Sequence, residues 1–123
     1  IGKAIHPMMA VGQIEGGIVQ GLGWMTMEEV VYDKKGKLRS NALSTYKVPD
    51  IYSVPKEIDI LPLETMRENL AIFNSKAVGE PPLMYGIAAY FAIRNAVQAY
   101  TDCSPAFDCP FTPEKVLLNL YQK

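Results

Sequence analysis

The sequence predicts an α+β fold. Two long segments carry apolar residues at three- and four-residue spacing, and short strand-like runs with turns lie between them. Helices and strands are interspersed without the regular alternation of a doubly wound sheet. At 123 residues, 49% hydrophobic and 20% charged, the chain suits one globular unit. The expected architecture is two buried helices with a small mixed or antiparallel sheet.

Residues 1–7 read as a strand tail or linker, with Pro7 suited to the first turn of a helix. Residues 8–27 follow as an amphipathic helix whose apolar stripe is Val11, Ile14, Ile18, Leu22 and Met25. That helix also carries Gly12, Gly16, Gly17, Gly21 and Gly23. Each costs about 1 kcal/mol against alanine in a helix interior, so close approach of another backbone or of a cofactor is expected. Residues 28–32 and a run from Leu38 form a hairpin around the turn at 33–37. Residues 57–61 alternate polar and apolar, as a half-buried strand does. A surface loop over 65–69 and a short strand over 70–73 come next. Pro81 and Pro82 then open a helix running to about Tyr100, largely buried, with Met84, Ile87, Ala88, Phe91, Asn95 and Ala99 on one face. Thr112-Pro113-Glu114 starts a last helix with a cap and a proline.

Composition excludes several functions. The formal net charge is -1 with the signs well mixed, so there is no nucleic-acid patch. No apolar run reaches membrane-span length, and the first residues are not a signal peptide. The chain is expected to begin inside a longer protein, or after processing. Cys103 and Cys109 could form one isolated disulfide, but read rather as two free thiols in a reduced, cytoplasmic setting, and with His6 as the sole histidine no self-contained metal site is visible.

Two residues stand out chemically. Glu80 lies between Gly79 and the pair Pro81-Pro82, a carboxylate held in a loop that resists rearrangement. It can act as a general base, or it can simply favour the dipole of the helix it precedes. Gln13 follows Gly12 early in the first helix, where its amide can donate and accept at once, or it can face solvent. Lys76 could position the Glu80 loop or an anionic group, although a solvated lysine is the ordinary alternative. His6 suits a structural role, and Gly21-Leu22-Gly23 lacks the third glycine of a dinucleotide fingerprint.

Three blocks together carry a resemblance. Gly12-Gln13-Ile14-Glu15-Gly16-Gly17 with Gln20-Gly21-Leu22-Gly23, then Ser44-Thr45-Tyr46-Lys47-Val48-Pro49, then the block from Ser75 through Glu80 to Leu83, resemble in order and spacing the molybdenum hydroxylases. The likeness is to the C-terminal part of the molybdenum-binding subunit in the xanthine dehydrogenase branch; aldehyde oxidases belong to the wider family. It implies that the whole chain, 1–123, is a C-terminal fragment of the molybdenum cofactor-binding domain. It implies that Glu80 is the active-site base and that Gln13 hydrogen-bonds the molybdenum–molybdopterin cofactor. The implied reaction is hydroxylation of a purine such as xanthine or hypoxanthine, or of another N-heterocycle or an aldehyde, with oxygen derived from water. Electrons would leave through iron–sulfur clusters to FAD. Those groups, and most substrate-orienting residues, belong to upstream segments or other subunits. The fragment is therefore expected to bind no cofactor alone and to be inactive alone; the alternative is a purely structural or assembly module that binds only protein partners. Its expected partners are the upstream remainder of the subunit, the iron–sulfur and FAD domains and a small heterocyclic substrate, in an oligomer.

Overall fold

The computed structural model describes residues 1–63 and 71–121. The first helix, α1, spans Pro7–Thr26. His6 caps it: the Nδ1 atom accepts from the Met9 N–H at 3.2 Å, while Pro7 supplies a first-turn residue that needs no hydrogen bond. At the other end the N–H groups of Met27 and Glu28 both reach the Gly23 carbonyl at 2.9 Å. A 3-10 helix over Pro81–Gly86 leads directly into α2, Ile87–Thr101, which stops at Asp102 in the left-handed conformation. The last helix, α3, spans Pro113–Tyr121, and the Thr112 hydroxyl accepts from the Lys115 N–H at 3.3 Å as its expected cap.

The glycines of α1 explain how these pieces meet. A Cβ at Gly17 would stand 2.8 Å from the Pro82 Cβ. One at Gly21 would run into the Leu83 carbonyl oxygen, and one at Gly86 would strike the α1 backbone at Gly21. The 3-10 helix therefore lies backbone to backbone on α1, the close approach that the glycine content predicts.

The core begins one turn beyond this contact on both helices. Met25, Tyr90, Val97 and Phe111 are buried, with Ile87, Ile93, Val116 and Leu120 packed against them. The Phe111 N–H donates to the Met25 carbonyl at 2.8 Å, tying the segment before α3 to the end of α1. The Tyr90 hydroxyl accepts from the Asp108 N–H at 3.1 Å and faces the Ala106 carbonyl at 3.5 Å. This satisfies a polar atom that would otherwise be costly to bury. Arg94 stacks 4.2 Å above the Phe107 ring and donates to the Pro105 carbonyl through Nε and Nη2. Lys115 bridges Asp108 at 2.9 Å and Glu29 at 3.4 Å. Burial presses its ammonium pKa down, but hydrogen bonds and attraction to the two carboxylates outweigh this and the net direction is up.

Three expectations are corrected. No sheet forms among the described residues; the strand pairing is reduced to two isolated bridges, Gly2 with Ser75 and Tyr32 with Leu38. Side chains take over where a ladder would continue. The Ser40 hydroxyl accepts from the Val31 N–H at 2.9 Å, and the Asp33 carboxylate accepts from the Lys35 and Lys37 N–H groups at 2.9 and 3.0 Å. The Lys37 N–H is the largest influence on the Asp33 carboxyl and holds its pKa below the ordinary value, against a smaller opposing effect of desolvation. Residues 57–61 have no strand partner among the described residues. In place of a strand at 70–73 there is a 3-10 turn, Ile72–Asn74, with Phe73 and Asn74 at φ values of 56° and 59°, outside any strand conformation. Leu70, and the loop expected over 65–69, lie outside the described residues.

The second correction concerns the start of the helix after Glu80. Its first turns are 3-10, and α geometry begins only at Ile87. The third concerns its buried face. The buried positions are Pro82, Gly86, Tyr90 and Val97, whereas Met84, Ala88, Phe91, Asn95 and Ala99 are exposed. Gly86 must meet α1, and Tyr90 has partners for its hydroxyl; those two contacts rotate the face away from the one that apolarity alone predicts.

Candidate active site

Two short contacts fix the segment before Glu80. The Lys76 N–H donates to the Ile1 carbonyl and the Lys3 N–H to the Asn74 carbonyl, both at 2.9 Å, on either side of the Gly2–Ser75 bridge. Gly79 then turns the chain at φ 53°, a conformation that a side chain disfavours. Glu80 follows at the N-cap of the 3-10 helix. Its carbonyl accepts from the Leu83 N–H at 2.9 Å, but its side chain makes no capping hydrogen bond. The backbone of Glu80 is thus engaged while its carboxylate is exposed and uncommitted to the cap. Beyond it, Pro82 is buried against Gly17. Glu80 is anchored upstream by the chain's first three residues and downstream by a segment that lies on α1.

Gln13 projects from the second turn of α1 and is exposed. It lines a hollow of about 280 Å³ whose wall also includes His6, Ser75, Lys76, Val78 and Gly79. The fold therefore brings Gln13 to the hollow beside which Glu80 begins its helix, Gly79 being the residue before it. Gly12 and Gly16 flank Gln13 along the helix, and a Cβ at either would meet nothing within 4 Å. The apolar stripe Val11, Ile14 and Ile18 faces a neighbouring, larger hollow of about 600 Å³ closed on its far side by residues 59–63.

An amide flanked by two open glycines suits an organic cofactor held by hydrogen bonds. The described residues bring together no three His, Cys, Asp or Glu side chains able to ligate a metal directly.

The family model described as "Molybdopterin cofactor-binding domain" matches residues 1–55. The chain is 40% identical over 124 residues to xanthine dehydrogenase/oxidase of Mus musculus, which covers 94% of this chain and 9% of that protein. It is 44% identical over 99 residues to xanthine dehydrogenase of Dictyostelium discoideum, covering 80% of this chain and 7% of the relative. The crystal structure of quinoline 2-oxidoreductase from Pseudomonas putida 86 superposes with a TM-score of 0.84 at 33% identity, over 99% of this chain and 15% of that one. The chain belongs to the molybdenum hydroxylase family, and it spans less than a tenth of the length of these curated relatives.

Some features of the site were not evident in the sequence. The capping role of His6 could have been read from its place before Pro7. The need for Gly86 could not, because its partner is a backbone atom of α1. No helix among the described residues is long and apolar enough to cross a membrane.

Proposed function

We propose that this chain carries the general base, Glu80, and one cofactor contact, Gln13, of a molybdenum hydroxylase that hydroxylates purines such as xanthine or hypoxanthine. The single observation that supports this most is the state of Glu80. It occupies a helix N-cap, yet its carboxylate does no capping, and its loop is pinned beside the hollow that Gln13 lines. A merely structural first-turn carboxylate would be expected to serve the helix end it occupies.

In this reading Glu80 takes the proton of the water-derived nucleophile onto a carboxylate oxygen, and Gln13 holds the cofactor through its amide. When bound, the molybdenum–molybdopterin group activates that oxygen and accepts the electrons of the oxidation. Pro81 and Pro82 restrict the loop so that the carboxylate is held in place, which matters because a shift of about 1 Å can cost on the order of 100-fold in rate. Iron–sulfur and FAD groups, which would take up the electrons, would be held by other segments or subunits. The isolated chain is inactive, because the remaining cofactor and substrate contacts are supplied by those parts.

A second reading keeps the chemistry and broadens the substrate to other N-heterocycles. The fold likeness to a quinoline 2-oxidoreductase favours it. Both readings share one test. In the assembled enzyme, Glu80→Gln is expected to keep full molybdenum content and to lower kcat by about 10²–10⁴, the usual contribution of a general base. Turnover within about tenfold of wild type, at full loading, would remove Glu80 from the role.

A further inference from the structure

Lys76 is the residue that the proposed function leaves unused. It lines the small hollow with Gln13 and Gly79, and it also lines the larger neighbouring one. Its backbone is fixed there by the hydrogen bond to Ile1 and the adjoining bridge of Ser75 with Gly2. Among the described residues its ammonium forms no ion pair. No carboxylate lines the small hollow, whose other polar side chains are Gln13, Ser75 and His6, and the His6 Nδ1 is occupied by the α1 cap. Asp59 borders the larger hollow but stands beyond ion-pair distance from Lys76. An exposed lysine whose backbone is held at the rim, with no ion pair among the described residues, beside an amide in a mostly apolar wall is complementary to an anionic oxygen group.

We propose that Lys76 is a specificity residue that binds an anionic oxygen group of the ligand held in this hollow. The group is either the phosphate of the pterin cofactor or a carboxylate or ring oxyanion on the substrate. Lys76 acts as a point charge and exchanges no proton. The inference rests on the reading of Gln13 as a cofactor contact, but its test does not depend on Glu80.

The test uses the assembled enzyme and its Lys76→Met and Lys76→Arg variants. Molybdenum and pterin content per subunit are measured, together with the binding constants of benzoate and benzamide, two ring probes that differ in charge. If the group is on the substrate, Lys76→Met loads fully and binds benzoate about tenfold more weakly, with benzamide unchanged, the loss of one charge-assisted hydrogen bond. If it is the cofactor phosphate, Lys76→Met loses most of its molybdenum and pterin, while turnover per bound molybdenum stays at the wild-type value. Lys76→Arg keeps both properties, which separates a charge effect from misfolding. Lys76→Met with wild-type loading and with both probes within about threefold of wild type overturns the proposal. Glu80→Gln is expected to leave loading and both probe constants unchanged while turnover falls, so failure of the base and failure of Lys76 are read separately.

Discussion

In the C-terminal half of α1, Gly17, Gly21 and Gly23 are filled by the chain's own Pro82, Leu83, Gly86 and Pro49; in the N-terminal half, Gly12 and Gly16 face nothing within 4 Å. The same residue type therefore does two different things along one helix. Where glycine is filled, it allows two backbones to meet and so positions the loop that begins at Glu80. Where it is open, it keeps clear the surface from which Gln13 projects. Every one of these glycines bears the same helix-propensity cost, and only those of the C-terminal half are packed against this chain. The difference separates a stretch of α1 packed against this chain from a stretch that the described residues leave open.

The largest effect expected from breaking this contrast is at Gly21. Gly21→Ala places a methyl group against the Leu83 carbonyl oxygen, and neither backbone can yield cheaply. Overpacking against backbone costs about 3 kcal/mol or more and the better helix propensity of alanine returns about 1 kcal/mol, so a net loss of about 2 kcal/mol or more is expected. Urea unfolding measures it; a midpoint at or above wild type would mean that the 3-10 helix does not lie on α1 as described.

A smaller effect is expected on the packed side at Tyr90, which is 2% exposed. Tyr90→Phe keeps the ring contacts with Phe107 and Phe111 and leaves the Asp108 N–H without its acceptor. The expected cost is about 1–2 kcal/mol, read as a lower thermal midpoint with an unchanged circular dichroism spectrum. No change would show that water replaces the hydroxyl freely and that this end of the molecule is less closed than its burial indicates.

The smallest effect has the opposite sign. Gly12→Ala and Gly16→Ala meet nothing within 4 Å among the described residues, so each should stabilise the chain by about 0.5–1 kcal/mol through helix propensity. Destabilisation of the isolated chain by either would erase the distinction between the two halves of α1.

The helices were largely legible because each has local signals. Pro7 starts α1, Thr112 and Pro113 start α3, and the stripe from Val11 to Met25 has the right period. The sheet was not, because strand-like alternation states only that a segment could pair. Here Ser40 and Asp33 satisfy backbone N–H groups near the bridge at Tyr32, and residues 57–61 have no strand partner among those described. The buried face of α2 was misplaced because Tyr90 and Gly86 are buried by particular contacts, which no apolar pattern encodes. For the site, the glycines around Gln13 and the prolines after Glu80 signalled constraint. That both flank one hollow depends on the fold, as does the position of Lys76 within it.

The central claim is that Gln13 and Glu80 serve one site, and a double-mutant cycle in the assembled enzyme tests it most directly. Turnover per bound molybdenum is measured for Gln13→Ala, Glu80→Gln and the double variant. Residues that act as a unit give strongly non-additive losses. The double variant is therefore predicted to lose little more than the worse single variant. Losses that multiply independently, or a Glu80→Gln enzyme with wild-type turnover, would contradict the account.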